Sequence, residues 1–524
     1  MNMSKPFKIT YSALNADMSV IHKEFNETYA SMKAELGYDV PSVVAGREIR
    51  SGKTNQKFNP AKTTELIAKY HVVSEAELNE AFAASRVAQK IWAKTPWQER
   101  VAITQKAADL IRERRMKIAV LMTLEVGKNR MESLGDAEES ADLLSYYSAQ
   151  MADAHGFIQP LGKLSPNENT KDVLRPFGVF SVIAPFNFPM ALGAGMTSAA
   201  LLGGNSVILK PSDDAPGTAY EIYLAFRDAG LPEGVLQIVF GNGPALGEWM
   251  TKHPMCDGVA FTGSKAVGMQ ILRTLHSGAY AKPVLAELGG KNPTFVCKSA
   301  DLDKAAIGCV KSAFGLSGQK CSALSRLWVH ESVYTSFIEK LIAQAKLLTI
   351  GDPALQENYM GPVISARTVD RHLQAISEAR AIGKIVFGGD DLREKPGFQQ
   401  GHFAAPTIAE LPSTARHFKD EFFSPFLAVT KFTDLDHAIH EANQAEYGLT
   451  AGIFSGDPNE IENFMNTIEA GILYANRATG ATTGAWPGVQ SFCGWKGSGI
   501  TGKGGCGPYY VAQFMREQSR TIME

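Results

Sequence analysis

Apolar positions follow two rhythms along this chain. Over roughly residues 60–150 they recur at helical spacing. Ser74-x-x-Glu77 has the form of a capping box, and Leu78, Ala81, Phe82, Ser85, Ala88 and Trp92 follow on one face. Thr95-Pro96 predicts a second helix, with Pro96 in the first turn, Gln98 three residues after the cap, and a buried stripe through Ile103, Ala107, Leu110 and Ile111. From about residue 173 the rhythm shortens. Runs rich in β-branched residues, at 179–185, 206–210, 235–240 and 258–263, alternate with helical patterns such as 216–230. A second alternating series occupies about 287–480, with strands predicted near 326–330 and 451–456. Alternation of this kind predicts parallel sheets with crossover helices, an α/β class.

The most apolar stretch, Phe177 to Leu209, is interrupted by Pro185, Asn187, Pro189, several glycines and Asn205. It reads as strand, loop and buried helix, so no membrane segment is expected. Two regions fit neither rhythm: a polar one at 153–175 and a glycine-rich tail from about 484. Each is expected to be an arm packing on another subunit. With 524 residues the chain exceeds one ordinary core and calls for two or three domains. A formal net charge of −2 lacks the basic excess of a protein that grips phosphate backbones by charge, so no nucleic-acid partner is expected. The six cysteines contain no Cys-x-x-Cys pair and are sparse for this length, which argues for a reducing compartment, and the first residues show no leader pattern, so a cytoplasmic setting is expected.

Several segments could carry chemistry. "FGLSGQKCSALSR" at 314–326 sets Cys321 among small and polar residues that leave room for a carbonyl compound. On local sequence alone a buried structural cysteine is the favoured reading. "LAELGGKNP" at 285–293 carries Glu287 at a predicted strand end, either a water-activating carboxylate or a solvated loop acid. "APFNFP" at 184–189 fixes Asn187 between aromatics and prolines, as an oxyanion donor or as a turn cap. Lys210 ends a strand, "FGNGPALG" at 240–247 is a glycine turn, and Ser264 opens a helix in "FTGSKAVG". Such turns hold a pyrophosphate or are plain turns. His437 and His440 lie three residues apart with no further ligands nearby, so no metal is expected.

Taken in order, "PFNFP", "LKPS", "FTGS", "ELGGKN", "GQKCS", "YMGPVI" (359–364), "EFFSPF" (421–426) and "YGLTAGIFS" (447–455) resemble the aldehyde dehydrogenase superfamily from about residue 40 onward. The resemblance implies two Rossmann-like parallel-sheet domains plus a small oligomerisation arm. Residues 1–152 and 176–286 would bind NAD(P), 287–483 would form the catalytic domain, and 153–175 with 484–524 would be the arm and tail. It also implies that Cys321 attacks an aldehyde to give a thiohemiacetal. Asn187 and the Cys321 N–H would hold the oxyanion, hydride would pass to nicotinamide, and Glu287 would activate the water that hydrolyses the thioester. Lys210, Ser212, Asp213, Gly243, Gly247, Phe261, Gly263, Ser264, Leu288, Glu421 and Phe423 would contact the cofactor. NAD is expected, with NADP as the alternative, because Asp213 would repel a 2′-phosphate.

Within that superfamily, "EVGKN" (125–129), "GDAEESADLLSYY" (135–147), "GLSGQKCSALSR" and "NRATGA" (476–481) are similar to the branch that oxidises glutamate γ-semialdehyde, the 1-pyrroline-5-carboxylate dehydrogenases. That likeness implies Ser322, Gly480 and Ala481 around the substrate α-carboxylate, with Glu139, Phe188 and Phe492 lining the pocket. The chain departs from the branch at Phe186, where tryptophan is usual, and in "TTGAWPGVQSF" at 482–492, which is longer by a few residues. The expectation is therefore an NAD(P)-dependent aldehyde dehydrogenase acting as a homodimer or higher homo-oligomer. Oxidation of another small acidic semialdehyde, acyl transfer to coenzyme A, and a non-catalytic dinucleotide-binding protein are the competing readings.

Overall fold

A computed structural model describes residues 18–50, 52–478 and 485–523. Two seven-stranded sheets organise the chain. The first runs in the order Val284–Glu287, Gly258–Thr262, Val179–Ile183, Ser206–Lys210, Leu236–Ile238, then Ser42–Val44 and Arg47–Ile49. Its first five strands are parallel, and the last two add antiparallel. The second has the order Lys384–Phe387, Thr407–Glu410, Phe426–Phe432, Leu324–His330, Asn292–Val296, Thr450–Phe454 and Ile472–Ala475, antiparallel only at the Lys384–Phe387 edge. The interior strands Val179–Ile183 and Asn292–Val296 are buried almost throughout, as strands covered on both faces must be.

Helices largely follow the apolar rhythm, although in the second one Thr104 and Ala108 are buried and Ile103 and Leu110 only partly so. Ser74 forms its capping box with Glu77, and Leu78, Ala81, Phe82, Ser85 and Trp92 are buried, with Gln89 in place of Ala88. The second helix spans Trp97–Glu113, and Pro96 is its cap residue, one position before the first turn: its ψ of 139° is extended, while its carbonyl already accepts the Arg100 N–H at 3.2 Å. The expectation of helix from residue 60 fails at its start: Lys62–His71 is a strand, paired with Thr54–Asn59 and Tyr38–Val40. Its inner half is largely buried, and the β-branched Thr63, Thr64 and Ile67 suit it to a pleated surface.

Helix Pro189–Leu202 is apolar on all sides and buried on nearly all of them, which is the condition for a helix in the middle of a domain. Beside it lies the longest helix, Arg130–Asp153. "EVGKN" marks the junction that starts it. The preceding helix ends at Val126, and Gly127, at φ 82°, takes the left-handed turn. The Asn129 side chain then caps the long helix by accepting the Glu132 N–H at 2.9 Å.

The two regions outside both rhythms separate in structure. Residues 168–176 pair with 158–160 on one side and Met515–Met523 on the other, in a three-stranded antiparallel sheet of mostly exposed residues. Residues 485–511, by contrast, fold back over the end of the first sheet: Gly499 bridges to Glu287, and Phe492 to Gly505. Glycines let this segment run close to strand ends and helix surfaces, which an outward arm would not require. Among the described residues no helix is long and apolar enough to cross a membrane.

Candidate active site

The loop before Cys321 holds two consecutive non-glycine residues in left-handed backbone, Leu316 (φ 49°) and Ser317 (φ 52°). Each costs about 1–2 kcal/mol relative to a right-handed residue, so the surroundings must hold the loop. Glu132 accepts the Leu316 N–H at 3.2 Å and the Lys320 ammonium at 2.7 Å. Ser317 donates to the Gly361 carbonyl at 2.7 Å, and Gln319 Oε1 accepts the Ile364 N–H at 2.8 Å. The motif "YMGPVI" thus acts as a clamp on the cysteine loop. Cys321 remains partly accessible. Desolvation first, then the Glu421 and Glu287 carboxylates, pushes its thiol well above the ordinary range.

Glu287 ends its strand and points at the same place. Its Oε1 accepts the Gly505 N–H at 2.8 Å. Burial pushes its carboxyl up to about 7, against that hydrogen bond. The next residues carry the chain from one sheet to the other, and the double glycine is required by what it passes. A Cβ at Gly289 would lie 2.3 Å from a Glu421 oxygen, and one at Gly290 would lie 2.1 Å from the Cys321 carbonyl. Gly290 N–H donates to Glu421 at 2.9 Å, and Asn292 donates to the Cys321 carbonyl at 2.7 Å. Glu421 is likewise pushed up to about 7 by burial.

Cys321 and Glu287 line one mostly apolar cavity of about 90 Å³ with Glu139, Phe188, Ser322 and Phe492. The long helix supplies Glu139, Leu143 and Tyr147 at helical spacing. The same helix stitches down the returning tail: Asp142 accepts the Trp486 indole N–H at 2.7 Å, the Tyr147 hydroxyl accepts the Cys506 N–H at 3.1 Å, and Gln150 donates to the Gly507 carbonyl at 2.8 Å. Asn187 does not line this cavity; it is buried next to the lining residue Phe188, with one N–H of its amide donated to the Gln319 carbonyl at 3.1 Å. A carboxamide has two such protons, so one is uncommitted by this bond.

A second cleft, of about 480 Å³, opens where the strand order of the first sheet reverses, beyond the carboxyl ends of Val179–Ile183, Ser206–Lys210 and Gly258–Thr262. This is the crevice in which open α/β sheets bind nucleotides. Lys210, Ser212, Asp213, Gly243, Gly247, Phe261, Gly263 and Ser264 all line it. Two helices begin there: Gly243–Lys252, whose first N–H donates to Asp213 at 3.0 Å, and Lys265–Leu275, capped by Ser264. A Cβ at Gly247 would meet nothing within 4 Å, so the cradle has room. Exposed helix N-termini, an ammonium and open glycine surface fit a dinucleotide.

The remaining expectations divide. Glu421 and Phe423 lie outside that cleft, around a small void behind the cysteine loop, where Phe423 meets Phe186 edge-on at 5.9 Å. Leu288 lines neither cavity. Its side chain packs towards Gly268, and its N–H donates to the Ser498 carbonyl at 2.9 Å, because it sits where the tail joins the strand end. Gly480 and Ala481 fall outside the described residues. Sequence reasoning missed Lys320, Tyr147, Met196, Thr262, Cys506 and Tyr510 as lining residues. Tyr147 was findable, two turns from Glu139 on the same face; Cys506 carries no local signal.

A sequence model of the aldehyde dehydrogenase family matches residues 48–519. The chain is 36% identical over 507 residues to a 1-pyrroline-5-carboxylate dehydrogenase of Geobacillus sp. (strain WCH70), covering 96% of each. It is 37% identical to that of Bacillus subtilis (strain 168), covering 95% of this chain and 96% of the relative. Among solved structures, the 1-pyrroline-5-carboxylate dehydrogenase from Thermus with bound NAD superposes with a TM-score of 0.92 at 31% identity, covering all of both chains. Proline utilization A from Bdellovibrio bacteriovorus superposes at 0.93 with 36% identity, and there this chain spans 54% of the longer protein. With the motifs in order, the cysteine and acid at one cavity, and the match extending over most of its length, the chain belongs to the aldehyde dehydrogenase family.

Proposed function

We propose that this enzyme oxidises L-glutamate γ-semialdehyde, the open form of 1-pyrroline-5-carboxylate, to L-glutamate in proline catabolism, with NAD as cofactor. The observation that carries the reading is the shared cavity of Cys321 and Glu287 next to a dinucleotide-shaped cleft. The names of the full-length relatives support the substrate, and the NAD-bound Thermus neighbour supports the cofactor.

The Cys321 thiol gives its proton to solvent water, the thiolate Sγ bonds to the aldehyde carbon, and the C=O π pair moves to the oxygen, which becomes an oxyanion that takes hydrogen bonds from Asn187 and the Cys321 N–H. One such donor is typically worth about 3 kcal/mol of barrier. Lys210, Ser212, Gly243, Gly247 and Ser264 of the cleft would hold NAD, which would supply the hydride acceptor needed to convert the thiohemiacetal to a thioester. Glu287 takes a proton from water as the water oxygen attacks the thioester carbon. The C–S bond breaks, and the acid leaves. Ser322 and the backbone at Gly480 and Ala481 would receive the α-carboxylate, and Phe188 and Phe492 would wall the aliphatic stem. Asp213, already engaged with Gly243 N–H, disfavours a 2′-phosphate nearby and so favours NAD over NADP. A cytoplasmic setting suits a nucleophile that must stay a free thiol. The strands Glu168–Pro176 and Met515–Met523, which expose Leu164 nearby and Ile522 and Met523, suit a homodimer or higher homo-oligomer.

A kinetic panel of semialdehydes with both dinucleotides tests the reading. Glutamate γ-semialdehyde with NAD should give the highest kcat/KM, and Cys321→Ala should abolish turnover while calorimetry still detects NAD binding. Unchanged turnover in Cys321→Ala refutes the nucleophile. A different best substrate moves the reading to another small acidic semialdehyde, and an acyl-coenzyme A product excludes hydrolysis.

A further inference from the structure

We propose that Lys128 and Asp136 form a positioning pair for the oxyanion donor Asn187, an inference that rests on the role proposed for Asn187 above. Both side chains are completely buried, and their ammonium–carboxylate distance is 2.8 Å. Neither lines the aldehyde cavity. Each reaches instead for the backbone around Asn187. Lys128 Nζ donates to the Asn187 carbonyl at 2.9 Å and lies 3.7 Å from the centroid of the Phe188 ring. Asp136 Oδ1 accepts the Ala191 N–H at 2.8 Å, in the first turn of Pro189–Leu202. The pair therefore pins the chain at Asn187 itself and again at Ala191, four residues on.

The arrangement is costly unless it does something. Two ions taken fully out of water lose their hydration, and apolar residues of similar volume often serve stability as well or better. What apolar residues would not provide is a hydrogen bond to the Asn187 carbonyl, which belongs to a loop between Pro185 and Pro189. The long helix holds the other half of the site one turn earlier, since Glu132 binds Leu316 N–H and Lys320 in the cysteine loop. The long helix, through Glu132 and through Asp136 with its partner Lys128 just ahead of the helix, thus ties the cysteine loop and the Asn187 segment to a common support. A displacement of about 1 Å in such a pairing can cost on the order of a hundredfold in rate.

Lys128→Met alone leaves Asp136 buried without its partner and can fail to fold for that reason, so the decisive variant is the uncharged Lys128→Met/Asp136→Asn. The introduced carboxamide would keep an acceptor for Ala191 N–H, and the introduced thioether would keep contact with Phe188. Its thermal midpoint should return close to the parent's. Its rate of the NADH burst, read by stopped flow, should still fall roughly ten- to a hundredfold, with the aldehyde KM nearly unchanged. In an Asn187→Ala background the same double substitution should have no further effect on the burst, because the residue it acts through is gone. A burst within about twofold of the parent overturns the proposal. So does a full additional loss in the Asn187→Ala background. If Asn187→Ala itself leaves the burst intact, the fault lies with the oxyanion assignment and not with the pair alone.

Discussion

In the proposed reaction, Glu287 is the single residue that would set the pH behaviour. Burial raises its carboxyl to about 7, so below that pH the group is mostly neutral and has no lone-pair charge with which to take a proton from water. Only the ionised form serves as base. The rate of acid release should therefore climb as pH rises through about 7 and level off above it. Single-turnover quench measurements across that range check this. Glu287→Gln should flatten the profile, slow deacylation by roughly 10²- to 10⁴-fold, and leave a thioester on Cys321 visible by mass spectrometry. Cys321 and Glu287 stand out in the sequence only through their company. Each alone has an ordinary explanation, and the motif order removes it. The environment that sets their acidity was not legible, because Gly505, which donates to Glu287, lies 218 residues away in a segment expected to be an arm.

Among elements, the crossing from Glu287 to Asn292 is the most constrained, since it joins the two sheets and passes within contact of Glu421 and the cysteine loop. Gly290→Ala would force a methyl group to 2.1 Å from the Cys321 carbonyl, and the neighbour is backbone that cannot rotate away. The variant is expected to keep both sheets, hence near-parent circular dichroism, while kcat falls at least about tenfold as the nucleophile loop shifts. Steady-state kinetics beside a thermal melt would separate the two effects. Strands such as Ser206–Lys210 were legible to the residue because they are short, β-branched and bounded by turns. Lys62–His71 was not, since its outer half is exposed and polar and its pairing partners come from the same N-terminal region. The stripe of Glu132, Asp136, Glu139, Leu143 and Tyr147 was written in the sequence at helical spacing, but what each member touches depends on loops far away.

At the scale of the whole molecule, the α/β class and its two parallel sheets follow from alternation alone, whereas the division of labour at the C-terminus does not. Glycine-rich sequence from 484 onward predicts turns, and turns serve an outward arm and a returning strap equally. Only Met515–Met523 pairs with the earlier polar region, and it does so along all nine residues. Removing residues 516–524 should leave Glu168–Pro176 with an unsatisfied edge and lower the assembly state seen by sedimentation velocity. A truncated protein that sediments like the parent would assign assembly to another surface. The strap itself has a different consequence. Trp486 is nearly buried, anchored by its indole N–H to Asp142, and follows Ala485, which lines the aldehyde cavity. It is one of six tryptophans in the chain, and Trp92 and Trp328 are packed in the cores. The enzyme consequently carries an intrinsic fluorophore one residue from the wall of its own cavity, and difference emission between the parent and Trp486→Phe would let filling of that cavity be watched in real time without a dye.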